Sequence, residues 1–171
     1  KILSTQTGYD RNYSQYPYGD YKTNSQLLFP VEPKDQCLFL KERVLGVIED
    51  DLTKVFRFNA FEDSTRVITG EIEGTSYLIV GNKEQNYIVA FRRPSSSELP
   101  VQTTFHPVQN SLPVVMKDSR GNKYDVFGNI ISGPDADLQL TPAKSFMGYW
   151  FAWGAFYPKP EIFGTYSKTL Q

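Results

Sequence analysis

From Arg43 onward the sequence is written in short runs of β-branched and aromatic residues, each closed by Gly, Asn, Asp, Ser or Pro. Runs of that length and composition read as strands. RVLGVIE (43–49) and TKVFRF (53–58) flank the acidic turn Glu49-Asp50-Asp51 and predict a hairpin. RVITGEIEG (66–74) leads through Gly74 into SYLIVG (76–81), and GNKEQN separates that strand from NYIVAFRR (86–93). RPSSSELP (93–100) reads as an exposed loop. VQTTF (101–105) and LPVVMKD (112–118) follow, and Ser119-Arg120-Gly121-Asn122 turns the chain into KYDVFGNII (123–131), which Ser132-Gly133-Pro134 ends. The pattern predicts an α+β, predominantly β chain of about eight short, mainly antiparallel strands in a barrel-like or strongly curved sheet.

One segment departs from this grammar. SFMGYWFAWGAFY (145–157) sets Phe146, Tyr149 or Trp150, Trp153, and Phe156 or Tyr157 at helical spacing, with Met147, Phe151 and Ala155 opposite. A helix that is apolar all round is a buried one, so Trp150 and Trp153 are expected in the core. Thr141 or Ser145 is placed to cap its start, and Pro158 and Pro160 stop it.

Residues 1–35 have no sustained period, yet hold five of the 11 tyrosines, at positions 9, 13, 16, 18 and 21. They read as an irregular arm packed on a single β-rich domain of residues 36–171, with an aromatic ligand platform as the other reading. At 171 residues one domain is the natural size. The chain opens KILSTQTGYD with no initiating Met and no signal peptide, which reads as a piece of a longer protein. No apolar run approaches the roughly 20 residues of a membrane span.

Charge and chemistry-bearing residues narrow the function. With 18 basic and 19 acidic side chains the net charge is −1, so a nucleic-acid partner is not expected. Cys37 is the only cysteine and His106 the only histidine, which excludes internal disulfides and sites built on paired imidazoles or thiolates. No metal or other cofactor is predicted. A triad of Ser111, His106 and Asp118 has no supporting spacing, and the chain contains no G-x-S-x-G elbow, P-loop or G-x-G-x-x-G fingerprint. The carboxylate pairs Asp50/Asp51 and Asp135/Asp137 read as solvated turns. DSRGNKYD (118–125) offers oxygen ligands for calcium, but Arg120 and Lys123 stand where further ones are needed. Cys37 reads as a small buried or half-buried residue. The candidate ligand-contact residues are His106, Gln109, Asn110 and Asp118, polar groups gathered along one strand-rich segment.

Five stretches together carry a family resemblance: STQTGYDRNYSQYPYGDY, KERVLGV, FHPVQNSLPVVMKDSRGNKYDVFG, ISGPDADLQL and SFMGYWFAWGAFYP. In that order, and ending on YWFAWGAFYP, the chain resembles the C-terminal half of proteins of the mainly bacterial family DUF3179, a domain of unknown function. The resemblance implies an extracytoplasmic setting, secreted, periplasmic or at the cell surface. It also implies a preceding region with a Cys-Pro-x-Cys-Gly-Thr motif, and it brings no catalytic residue. The expected function is a non-catalytic β-rich module of a larger secreted or envelope-associated protein. Its expected partners are the N-terminal half of its own precursor, another envelope protein, a glycan or a peptide. The alternatives are a hydrolase or carbohydrate-active enzyme with a cleft around His106 and Asp118, or half of a composite site completed by the upstream region.

Overall fold

A computed structural model of the chain describes residues 6, 8–10, 12, 14–95, 97, 103–136 and 138–163. Tyr13, half of the 93–100 loop, Val101, Gln102 and Asp137 therefore lie outside the described residues. Eleven strands form in chain order: β1 (Arg43–Glu49), β2 (Leu52–Arg57), β3 (Arg66–Ile72), β4 (Thr75–Asn82), β5 (Tyr87–Arg92), β6 (Phe105–Pro107), β7 (Val114–Asp118), β8 (Lys123–Asp125), β9 (Ile130–Ser132), β10 (Ser145–Tyr149) and β11 (Glu161–Phe163). One helix, α1 (Trp150–Phe156), separates the last two.

The strands make three open sheets, ordered β10-β1-β2-β11, β3-β4-β5 and β6-β7-β8-β9, and they do not close into a barrel. The total exceeds the eight expected from sequence by three: one predicted strand is split, residues expected to be helical form β10, and the short β11 is added. KYDVFGNII divides into β8 and β9 around a second turn. All pairings are antiparallel except β11 on β2.

Alternation along two central strands stacks the layers. On β4, Tyr77 and Ile79 face the first sheet and pack with Leu45, Val47 and Phe56, while Leu78 and Val80 face the third and pack with Val115, Met116 and Tyr124. On β1, Val44 and Ile48 take the opposite face and meet Trp150 and Trp153 of α1. The order is helix, sheet, sheet, sheet, so β1 and β4 are apolar on both sides and read as unbroken apolar runs.

Both tryptophans are buried, as the periodicity predicts. The helix itself begins five residues later than predicted, because residues 145–149 leave it to pair with β1 from Arg43↔Tyr149 to Val47↔Ser145. Neither Thr141 nor Ser145 caps it. Its first free N–H groups, on Trp150 and Phe151, donate instead to the carbonyls of Glu42 and Leu40, each at 2.8 Å. Glycine makes room for the rings: a Cβ on Gly46 would come within 2.1 Å of the Trp153 indole.

Residues preceding β1 contain no strand or helix among those described. Two anchors tie this segment down. Asp35 lies against Gly154 of α1, where a Cβ would approach the Asp35 Cβ to 2.7 Å. Lys41, buried, donates its ammonium protons to the Tyr21 carbonyl and to Asn24 Oδ1 (2.9 Å), and sits 3.4 Å from the centroid of the Tyr21 ring. Cys37 is exposed rather than buried. A hydrogen bond with Asp35 raises its thiol pKa, which makes it a poor nucleophile.

Candidate functional site

The four polar residues singled out in the sequence do not gather around one cavity. In the β6–β7 ladder Phe105 stands opposite Asp118 and His106 opposite Lys117, so His106 and Asp118 project from opposite faces. His106 is exposed, and its Nε2 meets only Thr104 Oγ1 at 3.1 Å. Ser111 turns its hydroxyl to the Gln109 carbonyl. The geometry of a Ser–His–Asp relay is absent from these residues. Gln109 acts as a clip: its Oε1 accepts from the Thr65 N–H and its Nε2 donates to the Thr65 carbonyl, both at 2.8 Å. It ties the loop after β6 to the start of β3. Asn110 takes a φ of 49° and turns the exposed chain.

Asp118 is the hub of a turn. Its Oδ1 accepts the N–H of Arg120 (2.9 Å) and Asn122 (3.0 Å), and its Oδ2 accepts from Asn122 Nδ2 (2.8 Å) and the Tyr124 hydroxyl (2.7 Å). Seven residues on, Asp125 repeats the pattern with the N–H of Phe127 and Asn129 and with Asn129 Nδ2, at 2.8 to 2.9 Å. Gly121 and Gly128 supply the left-handed residue of each turn, with φ of 96° and 83°. DSRGN and DVFGN are thus one motif, D-x-x-G-N, used twice. Its period of seven was the legible signal for two turns where sequence reading placed one. Each carboxylate is saturated by its own turn, and so the DSRGNKYD segment offers calcium no free oxygen cage. Arg120 and Asn122 reach on to Asp135, whose carboxyl the Arg120 guanidinium holds below the usual range.

Two clefts, at opposite ends of β1, have chemistry the sequence did not single out. At the Glu49 end, a cleft of about 620 Å³ is lined by Thr75, Ser76, Arg92, Arg93, Gln139 and Thr141, among others. The sheets bring these residues together because 141–143 runs along β5: the Arg92 N–H donates to the Thr141 carbonyl, and Ala143 to Ala90. Beneath the cleft Glu49 accepts from the Tyr77 hydroxyl, from Thr75 Oγ1 at 3.4 Å and from Arg92 Nη2 at 2.6 Å. The Tyr77 hydrogen bond, followed by Arg92, holds the Glu49 carboxyl below its ordinary pKa. Burial, then Glu49, pushes Tyr77 up to about 12. Arg92 is thereby neutralised. The half-buried Arg93 guanidinium donates to the Thr103 carbonyl at 3.0 Å, and the ion pairs of the described residues leave it without a carboxylate.

At the Arg43 end, a smaller pocket of about 340 Å³ lies between the N-terminal segment and the first sheet. Register explains its walls. The first residue of β1 stands beside the last of β10, Arg43↔Tyr149, and its second beside the last of β2, Val44↔Arg57, so three strand ends meet. Glu42 there is held by Arg57 through two contacts, 2.6 and 3.1 Å. Among the described residues no group of three or more His, Cys, Asp or Glu is arranged to hold a metal.

The arrangement defines a class before it defines a family: a layered β-rich fold, helix-backed, with clefts lined by cations, hydroxyls and rings. Residues 1–160 match the family described as "Protein of unknown function (DUF3179)", and the chain belongs to that family. No curated protein and no solved structure matches it.

Proposed function

We propose that the protein is a non-catalytic binding module of a larger secreted or envelope-associated bacterial protein, and that the Arg93 cleft receives a carboxylate-bearing glycan or peptide. The observation that carries this reading is the half-buried guanidinium of Arg93, without a carboxylate partner among the described residues, in a polar cleft beside an Arg92 already neutralised by Glu49. A carboxylate is the planar partner a guanidinium fork fits best, and the Thr75, Ser76, Thr141 and Gln139 side chains supply hydroxyl and amide groups around it. The cleft volume lies within the range of small-molecule sites. Among the described residues its lining holds no histidine, cysteine or carboxylate, which favours recognition over bond cleavage.

A screen of acidic and neutral glycans and of peptides with free C-termini tests it. The expected result is binding of carboxylate-bearing ligands that falls at least tenfold in Arg93→Gln. A screen in which nothing binds, together with a native pull-down that recovers only monomer, sinks the reading. Fractionation of the source cell addresses location, with the protein expected outside the cytoplasm.

A further inference from the structure

The pocket at the Arg43 end carries a second, independent site. Lys22, Lys41 and Arg43 line it, and among the described residues none has a carboxylate within ion-pair distance. Each cation is held against a ring: Lys22 lies 4.3 Å from the Tyr16 centroid, Lys41 3.4 Å from Tyr21, and Arg43 3.9 Å from Phe58. Rings and amide oxygens orient a cation without cancelling its charge. Arg43 has one further partner, Asn86 Oδ1 at 2.7 Å, and Lys41 has the neutral oxygens of Tyr21 and Asn24. Two carboxylates lie near. Glu42 also lines the pocket but is taken by Arg57, and Asp20 acts on Lys41 only from beyond ion-pair distance. Lys41 is moreover 4% exposed, and burial lowers its pKa.

We infer that this pocket binds a phosphomonoester carried on a ring or other flat body. Three cations call for more than one negative charge, and a phosphate monoester brings about −1.5 to −2 at neutral pH with three acceptor oxygens. Two of the cations are lysines, point charges that suit phosphate without a fixed fork geometry. Phe39 and Tyr149 give the pocket apolar walls on which a planar body lies, while Phe58 is buried beneath Arg43; Phe39 is 52% exposed with no ring partner among the described aromatic contacts. Because Lys22 comes from the N-terminal segment and Arg43 from β1, the bound phosphate bridges the two. Occupancy therefore fastens the segment to the domain.

Phenyl phosphate is the probe, titrated calorimetrically into the full chain at low ionic strength. Saturable binding that weakens with added salt is expected, with benzoate and inorganic phosphate each binding at least tenfold more weakly. Arg43→Gln and Lys22→Gln are each expected to weaken it at least tenfold, while Lys144→Gln and Arg93→Gln leave it unchanged. The Arg93 variant separates this site from the cleft at the other end of β1. Circular dichroism melts establish that each variant folds, and tryptic cleavage after Lys22 is expected to slow with phenyl phosphate present. Absence of saturable binding, or binding indifferent to folded Arg43→Gln and Lys22→Gln variants, overturns the assignment. In the Arg93→Gln variant, where the other cleft is disabled, equal affinity for benzoate overturns the phosphate, and equal affinity for inorganic phosphate overturns the ring.

Discussion

The two ends of β1, roughly 20 Å apart on a seven-residue strand, solve the problem of charge at a sheet edge in opposite ways. At the far end, Glu49 gathers Tyr77, Thr75 and Arg92 into a network in which the carboxylate and its guanidinium cancel. At the near end, the lining acid, Glu42, is spent on Arg57, and Lys22, Lys41 and Arg43 are left against rings and neutral oxygens. The first arrangement satisfies itself and contributes to stability. The second leaves electrostatic potential for something else to satisfy, which is the physical difference between a structural polar cluster and a binding site.

The largest effect is expected from the platform both ends share. Trp153 covers Gly46 at the middle of β1 and stacks on Phe146 with centroids 4.3 Å apart, so Trp153→Ala should lower unfolding free energy by about 3–5 kcal/mol. Chemical denaturation measures it, and a loss below about 1 kcal/mol would refute the buried-platform reading. Gly46→Ala should cost about 1–3 kcal/mol, because the added methyl collides with the indole.

Next comes the closed end itself. Glu49→Ala strips Tyr77, 1% exposed, of its acceptor and should cost about 1–3 kcal/mol. The same network makes a signature in pH. Glu49 has its pKa lowered in the fold, so its contribution is present above the ordinary value of 4.5 and fades as pH falls through the lowered one. Tyr77 is raised from 10.0 to about 12, so its contribution is intact below 10 and is lost as pH rises from 10 to about 12. Melting temperature against pH should therefore fall at both extremes. In Glu49→Gln the acid limb contributed by this residue disappears, and the alkaline limb moves toward pH 10. Unchanged limbs would show that the hydrogen bond does not set either pKa.

The smallest effect on stability is expected at the open end. Arg43→Gln removes a cation whose only direct oxygen partner is a side-chain amide, and a change below about 0.5 kcal/mol is typical of such surface positions. A large loss would place Arg43 in a structural role like that of Arg92, and the contrast between the two ends would collapse.

Much of the fold could be read directly from residue patterns. The Glu49-Asp50-Asp51 hairpin forms, with Asp50 in the left-handed region at φ 49°. The turn at Gly74 forms with both Glu73 and Gly74 at positive φ, as two-residue hairpins require. The helix was legible in kind and not in extent. Residues 145–149 satisfy helical spacing, but their backbone groups find a partner in β1, and only the presence of that free edge decides for strand. The four polar candidates show a similar limit. Sequence groups His106, Gln109, Asn110 and Asp118 within 13 residues, but strand alternation sends His106 and Asp118 to opposite faces, and Gln109 is absorbed by Thr65.

What the sequence by itself determined is local: which runs extend, where Gly, Asn and Asp turn the chain, that the tryptophans are buried, and to which family the pattern belongs. Neighbours within a few residues settle those matters through backbone sterics and side-chain periodicity. The tertiary structure decided which charges cancel. Arg92 meets Glu49 across 43 residues, while the Arg43 side chain, on the same strand as Glu49, meets Phe58 and Asn86 and no carboxylate among the described residues. Neutralisation depends on distance in space within a few ångströms, and a net charge of −1 summed over the chain conceals that one end of β1 is saturated and the other is not.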